Sequence, residues 1–225
     1  MATITEPRTT LERPPERFVF RKVGWTGYQT LLKLVENRRV RVTYDRGDVE
    51  LMAPLSIHER YKSLLGRMIE TIGEELEIQV VAVGSTTFSS EELDCGLEPD
   101  ECYYLTNAGQ VRDWKRVDLN VDPPPDLAVE VDITSSSIDR QGIYANLRVP
   151  EIWRFDGETI TVLLLQQDGN YIPSETSLAF PFLPMNELAA FLRGYALGDD
   201  SRWGRAFREW VRTTLLPRVR EQGDS

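Results

Sequence analysis

The chain has 225 residues, of which 41% are hydrophobic and 28% charged. That is a globular composition, long enough for one full-sized domain with a complete core. A formal net charge of -10 excludes a protein that grips nucleic acid by bulk charge, but leaves room for a local basic groove. A single histidine argues against a His-rich zinc site or a His-centred triad.

Residues 1–17 are rich in Thr, Pro, Glu and Arg and lack periodicity, which predicts a flexible N-terminal tail. Thr26-Gly-Tyr-Gln29 has capping-box spacing and opens a short helix carrying Leu31, Leu32, Leu34 and Val35. Val40 to Asp45, the turn Arg46-Gly47, and Asp48 to Ala53 form a hairpin signature. Ser56-Ile-His-Glu59 has capping-box spacing again and starts a long helix with Tyr61, Leu64, Leu65, Met68, Ile69 and Ile72 on one stripe. Ile78 to Val83, apolar but for Gln79, predicts a strand buried on both faces, with Thr86 to Ser89 as its hairpin partner. Glu98 to Leu105 reads as a strand entered through Pro99-Asp100, and Gln110 to Asn120, with Trp114, Lys115 and Arg116, reads as loop or helical turn.

The central stretch is Pro123 to Asp156. Leu127, Val129 and Val131 alternate with Ala128, Glu130 and Asp132, which is strand period. Asp126, Glu130 and Asp132 then share one row of the strand, as a solvent face or as a cation site. The prolines before Asp126 argue for an abrupt start. Ser135, Ser136 and Ser137 are N-cap candidates for a helix bearing Ile138, Ile143, Tyr144 and Leu147, which stops before Pro150. Glu151 to Phe155 is a second strand pattern. Val162 to Leu165 and Tyr171-Ile172 make a strand pair around Asp168-Gly169-Asn170. Two terminal helices follow, Met185 to Tyr195 and Asp200 to Arg218. The second puts Trp203, Phe207, Trp210, Val211 and Leu215 on one face and Arg205, Arg208 and Arg212 on another. The expected class is α/β or α+β: a mixed central sheet flanked by helices, without the βαβ alternation of a doubly wound fold.

Two Pro-Asp dipeptides enter two strands, and Glu130 lies mid-strand thirty residues after Asp100. A phosphodiester hydrolase needs carboxylates converging on a divalent cation, with a cationic side chain to stabilise transition-state charge. The motifs are Asp48-Val-Glu-Leu-Met-Ala-Pro54, His58-Glu59, Pro99-Asp100, Pro125-Asp-Leu-Ala-Val-Glu-Val-Asp-Ile-Thr-Ser135, Arg140-Gln-Gly-Ile-Tyr144 and Arg148-Val-Pro-Glu-Ile-Trp153. Together they resemble the PD-(D/E)XK nuclease superfamily and, more closely, its bacterial restriction endonuclease family called Uma-two, over roughly Trp25 to Leu165.

The resemblance implies a restriction endonuclease-like core over 18–180 with a C-terminal helical extension over 181–225. It implies a Mg²⁺- or Mn²⁺-dependent endonuclease of DNA, with Asp100 and Glu130 holding the metal and Glu59 as a further carboxylate. The superfamily's lysine slot two residues after Glu130 is Asp132, and the family's migrated lysine matches Arg140. Arginine can clamp phosphate but cannot lose a proton to act as a base. Asp100, Glu130, Asp132 and Arg140 are therefore the expected catalytic set. The other reading is a nuclease-fold protein without activity, serving as a binding or assembly module.

Each residue also has a plainer reading. Glu59 is otherwise the reciprocal half of the Ser56 capping box, the reading its spacing favours, and His58 a solvent or turn residue. Asp100 and Asp126 open strands, Arg140 pairs with Asp139 or Asp132, and Tyr144, Trp153, Trp203 and Trp210 pack in the core or at an interface. The arginine row is a solvated face or a DNA-facing stripe. No apolar run is long enough to span a bilayer and no signal peptide is evident, so the expectation is a cytoplasmic protein with Cys95 and Cys102 as reduced thiols. Expected partners are DNA, a divalent cation and a second copy, the last because a duplex cutter needs two sites and the terminal helices carry apolar surface.

Overall fold

The computed structural model describes residues 16–223 except 116, 134, 135, 137 and 195–198. The expected tail up to residue 15 lies outside the described residues. The chain enters a strand sooner than expected, at β1 (Arg17–Phe20), which pairs antiparallel with β3. The predicted hairpin is β2 (Arg41–Asp45) and β3 (Asp48–Met52). Its two-residue turn has positive φ at both positions, 43° at Arg46 and 91° at Gly47, the geometry that matches strand twist.

The strands do not join one sheet, as the sequence patterns suggested, but two. The first has the order β1-β3-β2-β6-β5, where β5 is Phe88–Ser90 and β6 is Cys95–Leu97. The second has the order β11-β10-β9-β8-β7-β4. Its members are β4 (Val81–Ala82), β7 (Glu101–Tyr104), β8 (Leu127–Val131), β9 (Glu151–Phe155), β10 (Ile160–Leu165) and β11 (Tyr171–Ser174). The segment read as one strand from Glu98 is the hand-over. β6 ends at Leu97, Pro99 lacks an N–H for a ladder, and β7 begins at Glu101 in the other sheet. β8 and β9 are parallel, joined through α3 (Arg140–Asn146); the other pairings are antiparallel. The Asp100 and Glu130 strands are neighbours, with Glu101 opposite Val129.

Ile78 to Val83 is not a doubly buried strand. Two of its residues form the edge strand β4, and Gln79 and Ala82 are exposed. Apolar content matched a buried strand, but sheet position decided otherwise. Nor is Thr86 to Ser89 its partner: β5 pairs with β6.

Helix starts also differ from the capping signatures. α1 (Trp25–Val35) is capped at Gly24 and α2 (Ser56–Leu76) at Leu55, neither with a side-chain hydrogen bond. Thr26 and Ser56 already lie inside their helices, so their hydroxyls are misplaced for the cap. For α3 the cap is Asp139, whose carboxylate accepts from the Gly142 N–H, rather than a serine. Ser135 and Ser137 lie outside the described residues.

One hydrophobic cluster joins Leu127, Val129, Val131 and Trp153 of the second sheet to α2 and to the C-terminal helices. These are α4 (Met185–Arg193), α5 (Asp200–Trp210) with a π-helical turn over Val211–Leu215, and α6 (Leu216–Gly223). Trp203, Phe207, Val211 and Leu215 are buried there, so the helical face expected to be spare is consumed by the core. The opposite sheet face carries Ala128 and Ile152, packed on α3 and on Phe88, Cys95 and Leu97. A third cluster sets α1 against Val42, Tyr44 and Val49. β8 is thus covered on both faces at its start.

A cleft between the two sheets

Strand alternation builds the cleft. In the first sheet Arg41 faces Met52 and Thr43 faces Glu50 across the ladder, so these four share one side. The intervening Val42, Tyr44, Val49 and Leu51 face α1. In the second sheet Glu130 follows Ala128 away from the Leu127, Val129 and Val131 row. Between them opens a cleft of about 370 Å³ whose lining includes Arg41, Glu50, His58, Glu130, Asp132 and Arg140.

Asp100 is fully buried and stands behind this lining rather than in it. Its Oδ2 accepts the Val131 N–H at 2.6 Å and lies 3.1 Å from His58 Nε2, and Oδ1 is ion-paired to Arg41. Arg41 also donates to Glu59 Oε1 at 3.0 Å. Burial lowers the proton affinity of the Arg41 guanidinium, and Glu130 and Glu59 act against that loss. Glu59 is therefore not the second half of a capping box; its carboxylate turns to Arg41. The His58 imidazole beside it, with Arg41, holds the Glu59 carboxyl down at about 2.

Glu130 faces into the cleft and is closed by two donors. Arg140 Nη2 and the Tyr144 hydroxyl both donate to Glu130 Oε1. Arg140 also donates to Thr43 Oγ1 at 2.7 Å and to the Glu98 carbonyl at 2.8 Å. Its fork thus ties α3 to both sheets. Burial works against the Arg140 charge, but Glu130 and Tyr144 outweigh it and raise its proton affinity. Burial, then the Glu130 charge, hold the Tyr144 proton far above its ordinary value. Arg140 pairs with Glu130, not with Asp139 or Asp132.

Asp132 lines the same wall just past β8. Burial raises its carboxyl pKa, Arg154 opposes, and Glu130 adds to the rise. Burial likewise pushes Glu98 up. Asp126, in phase with Glu130, is structural: its Oδ2 accepts from the N–H groups of Leu105 and Asn107 at 2.7 and 3.0 Å. Arg41 and Glu50 also line the cleft, although neither was among the expected site residues and Glu50 stood only inside the Asp48–Pro54 motif. Glu50 is 3% exposed and accepts the Ser136 hydroxyl at 2.8 Å. An acid on the inward row of a hairpin strand was its signal; Arg41 carried none.

The donor chemistry, carboxylate oxygens, is that of a hard divalent cation. The arrangement is not. Among the described residues no group of three or more His, Cys, Asp or Glu side chains is placed to hold a metal ion. Asp100 is engaged by Arg41 and Glu130 by Arg140, so each acid already has a guanidinium where a cation would stand. The residues present therefore do not form a ready metal centre.

Among the described residues no helix is long and apolar enough to cross a membrane. No curated protein matches the chain. A solved structure, the crystal structure of a "putative nuclease belonging to DUF820" from Anabaena variabilis, is similar at 15% identity and a TM-score of 0.40, covering 76% of this chain and 90% of that one. The family model "Uma2: Putative restriction endonuclease" matches residues 25–197. With most of its length matched, from the first helix to the end of α4, the chain belongs to the Uma2 family.

Proposed function

We propose that the protein is an endonuclease acting on DNA in the cytoplasm, and that the cleft between the two sheets receives the phosphodiester. The observation that carries this reading is the Arg140–Glu130 pair in the cleft wall, a guanidinium fork beside a carboxylate in partly desolvated surroundings. Arg140 can present two donors to phosphate oxygens and stabilise charge that builds on them. Asp100 positions rather than reacts: it fixes Val131, next to Glu130, and holds Arg41 and His58 in place. Membership of the Uma2 family supports phosphodiester hydrolysis as the reaction class.

The cofactor the family implies, Mg²⁺ or Mn²⁺, has to compete with Arg140 for Glu130. Calorimetric titration of either ion, with plasmid nicking alongside, tests this. Binding and nicking by the parent, both lost in Glu130→Ala, support the reading; binding that survives Glu130→Ala overturns it. A second reading, a DNA-binding module without hydrolysis, is favoured by the closure of both acids with guanidinium groups. DNA binding with neither ion uptake nor nicking would establish it.

A further inference from the structure

The terminal helices spend their apolar face on the core, and the exposed apolar side chains lie elsewhere. Phe18, Val19 and Phe20 of β1 are 58%, 41% and 45% exposed. β1 is the last strand of its sheet. The Ala53 N–H donates to the Glu16 carbonyl, and Arg17 lies opposite Met52. In that antiparallel pattern Phe18 and Phe20 bond to β3, and Val19 between them turns its N–H and C=O groups outward. Among the described residues no strand pairs with this outer edge. An apolar edge with open backbone groups is a template for another strand.

The sequence of the edge says which strand. Arg17-Phe18-Val19-Phe20-Arg21 reads the same in both directions, with Glu16 before it and Lys22 after it. We infer that two copies of this chain pair β1 to β1 antiparallel, about a two-fold axis at Val19. In that register Val19 faces its own copy through the outward backbone groups. Phe18 of each copy meets Phe20 of the other, and Arg17 meets Arg21, while Lys22, with φ 59°, bends away beyond the ladder. An isologous contact demands such self-complementarity, and aromatic cross-strand pairs reward it.

The consequence rests on the nuclease reading. Arg17, Val19 and Arg21 share the side of Glu50 and Met52, the cleft side, since Val19 lies opposite Glu50 and Arg17 opposite Met52. A two-fold axis normal to the sheet keeps that side common to both copies. Both clefts would open in one direction, with the Arg17 and Arg21 side chains of the two copies forming a basic seam between them. In a chain of net charge -10, that seam suits a phosphate backbone running from one cleft to the other. Arg21 is ion-paired to Asp48 and Asp132 feels the Arg17 charge, which lessens the repulsion within the seam before DNA arrives.

Sedimentation of the full chain tests the contact without any need for activity. The parent should run as a dimer. Val19→Lys and Val19→Glu each set like charges opposite one another, and each should run as a monomer with unchanged circular dichroism. An equimolar mixture of the two should run as a dimer again, since unlike charges then face across the axis. A monomeric parent, a dimeric single variant, or a mixture that stays monomeric overturns the inference. If the parent dimerises and also cuts, it should linearise plasmid where Val19→Lys only nicks it; a dimer that cuts nothing leaves the contact standing and removes the nuclease reading.

Discussion

The charges of this protein are handled in two ways. In and behind the cleft, arginines meet carboxylates away from water: the Arg41 and Asp100 side chains are 8% and 0% exposed, and those of Arg140 and Glu130 19% and 13%. On the outer surface, α5 and the π-helical turn meet the end of α2 through Arg208 and Arg212 on Glu74 and Glu75. There the Arg208, Arg212 and Glu74 side chains are 39%, 56% and 62% exposed. The arginine row expected to be a solvated face or a DNA stripe thus divides. Two of its members tether helices and Arg205 is exposed. The difference is one of solvent. A surface pair exchanges one good hydration for another, whereas a buried pair that loses a member strands a charge that water cannot reach.

The sharpest way to break the contrast is at the cleft pair. Arg140→Ala should abolish cation-dependent nicking of plasmid DNA, while Arg140→Lys should keep or raise it, because lysine supplies the point charge that the resemblance implies for this position. Equal cleavage by Arg140→Ala and the parent would reduce Arg140 to a strut between α3 and the two sheets. Next in size is Asp100→Asn. It leaves Arg41 buried with Glu59 as its remaining hydrogen-bonded acid, and should cost about 3–5 kcal/mol in urea unfolding. A loss under about 1 kcal/mol would mean that Glu59 suffices and that the buried pair behaves like a surface one.

The outer network should respond far less. Arg208→Ala or Arg212→Ala should each cost about 0.2–1 kcal/mol, and the cost should shrink as salt rises. A salt-insensitive loss as large as that of Asp100→Asn would erase the distinction. The smallest effect is expected at Asp132. Its folded-state pKa is raised above the ordinary 3.8, so the folded protein binds its proton more tightly than the unfolded chain does. Stability from this group is therefore lost as pH rises through the raised value. Asp132→Asn should melt slightly higher than the parent at pH 7, with the difference closing below about pH 3.8. A lower melting temperature at pH 7 would show that the ionised form is the one the cleft stabilises.

Some of this was legible in the chain. The Arg46-Gly47 hairpin, the long helix from Ser56 and the alternation of Leu127 to Asp132 are local patterns, set by turn dihedrals and by the periods of strand and helix. The motifs from Asp48 to Trp153 carried the family for the same reason: short spacings survive in one dimension. The helix caps were less legible, because Thr26 and Ser56 have the right chemistry one or two residues inside the place where the backbone turns.

By itself, then, the sequence determined the hairpin, the long helix, the shared strand row of Glu130 and Asp132, and the family. The tertiary structure decided what no window of residues contains. Two sheets arise instead of one because the backbone changes ladders at Pro99. Ile78 to Val83 lies at an edge because no further strand pairs beyond β4 among the described residues. Asp100 is closed by Arg41, and Glu50 takes a hydroxyl from Ser136, 86 residues away. Ion pairing and burial depend on distance in space and on the exclusion of water, and neither is a property of neighbouring residues in the chain.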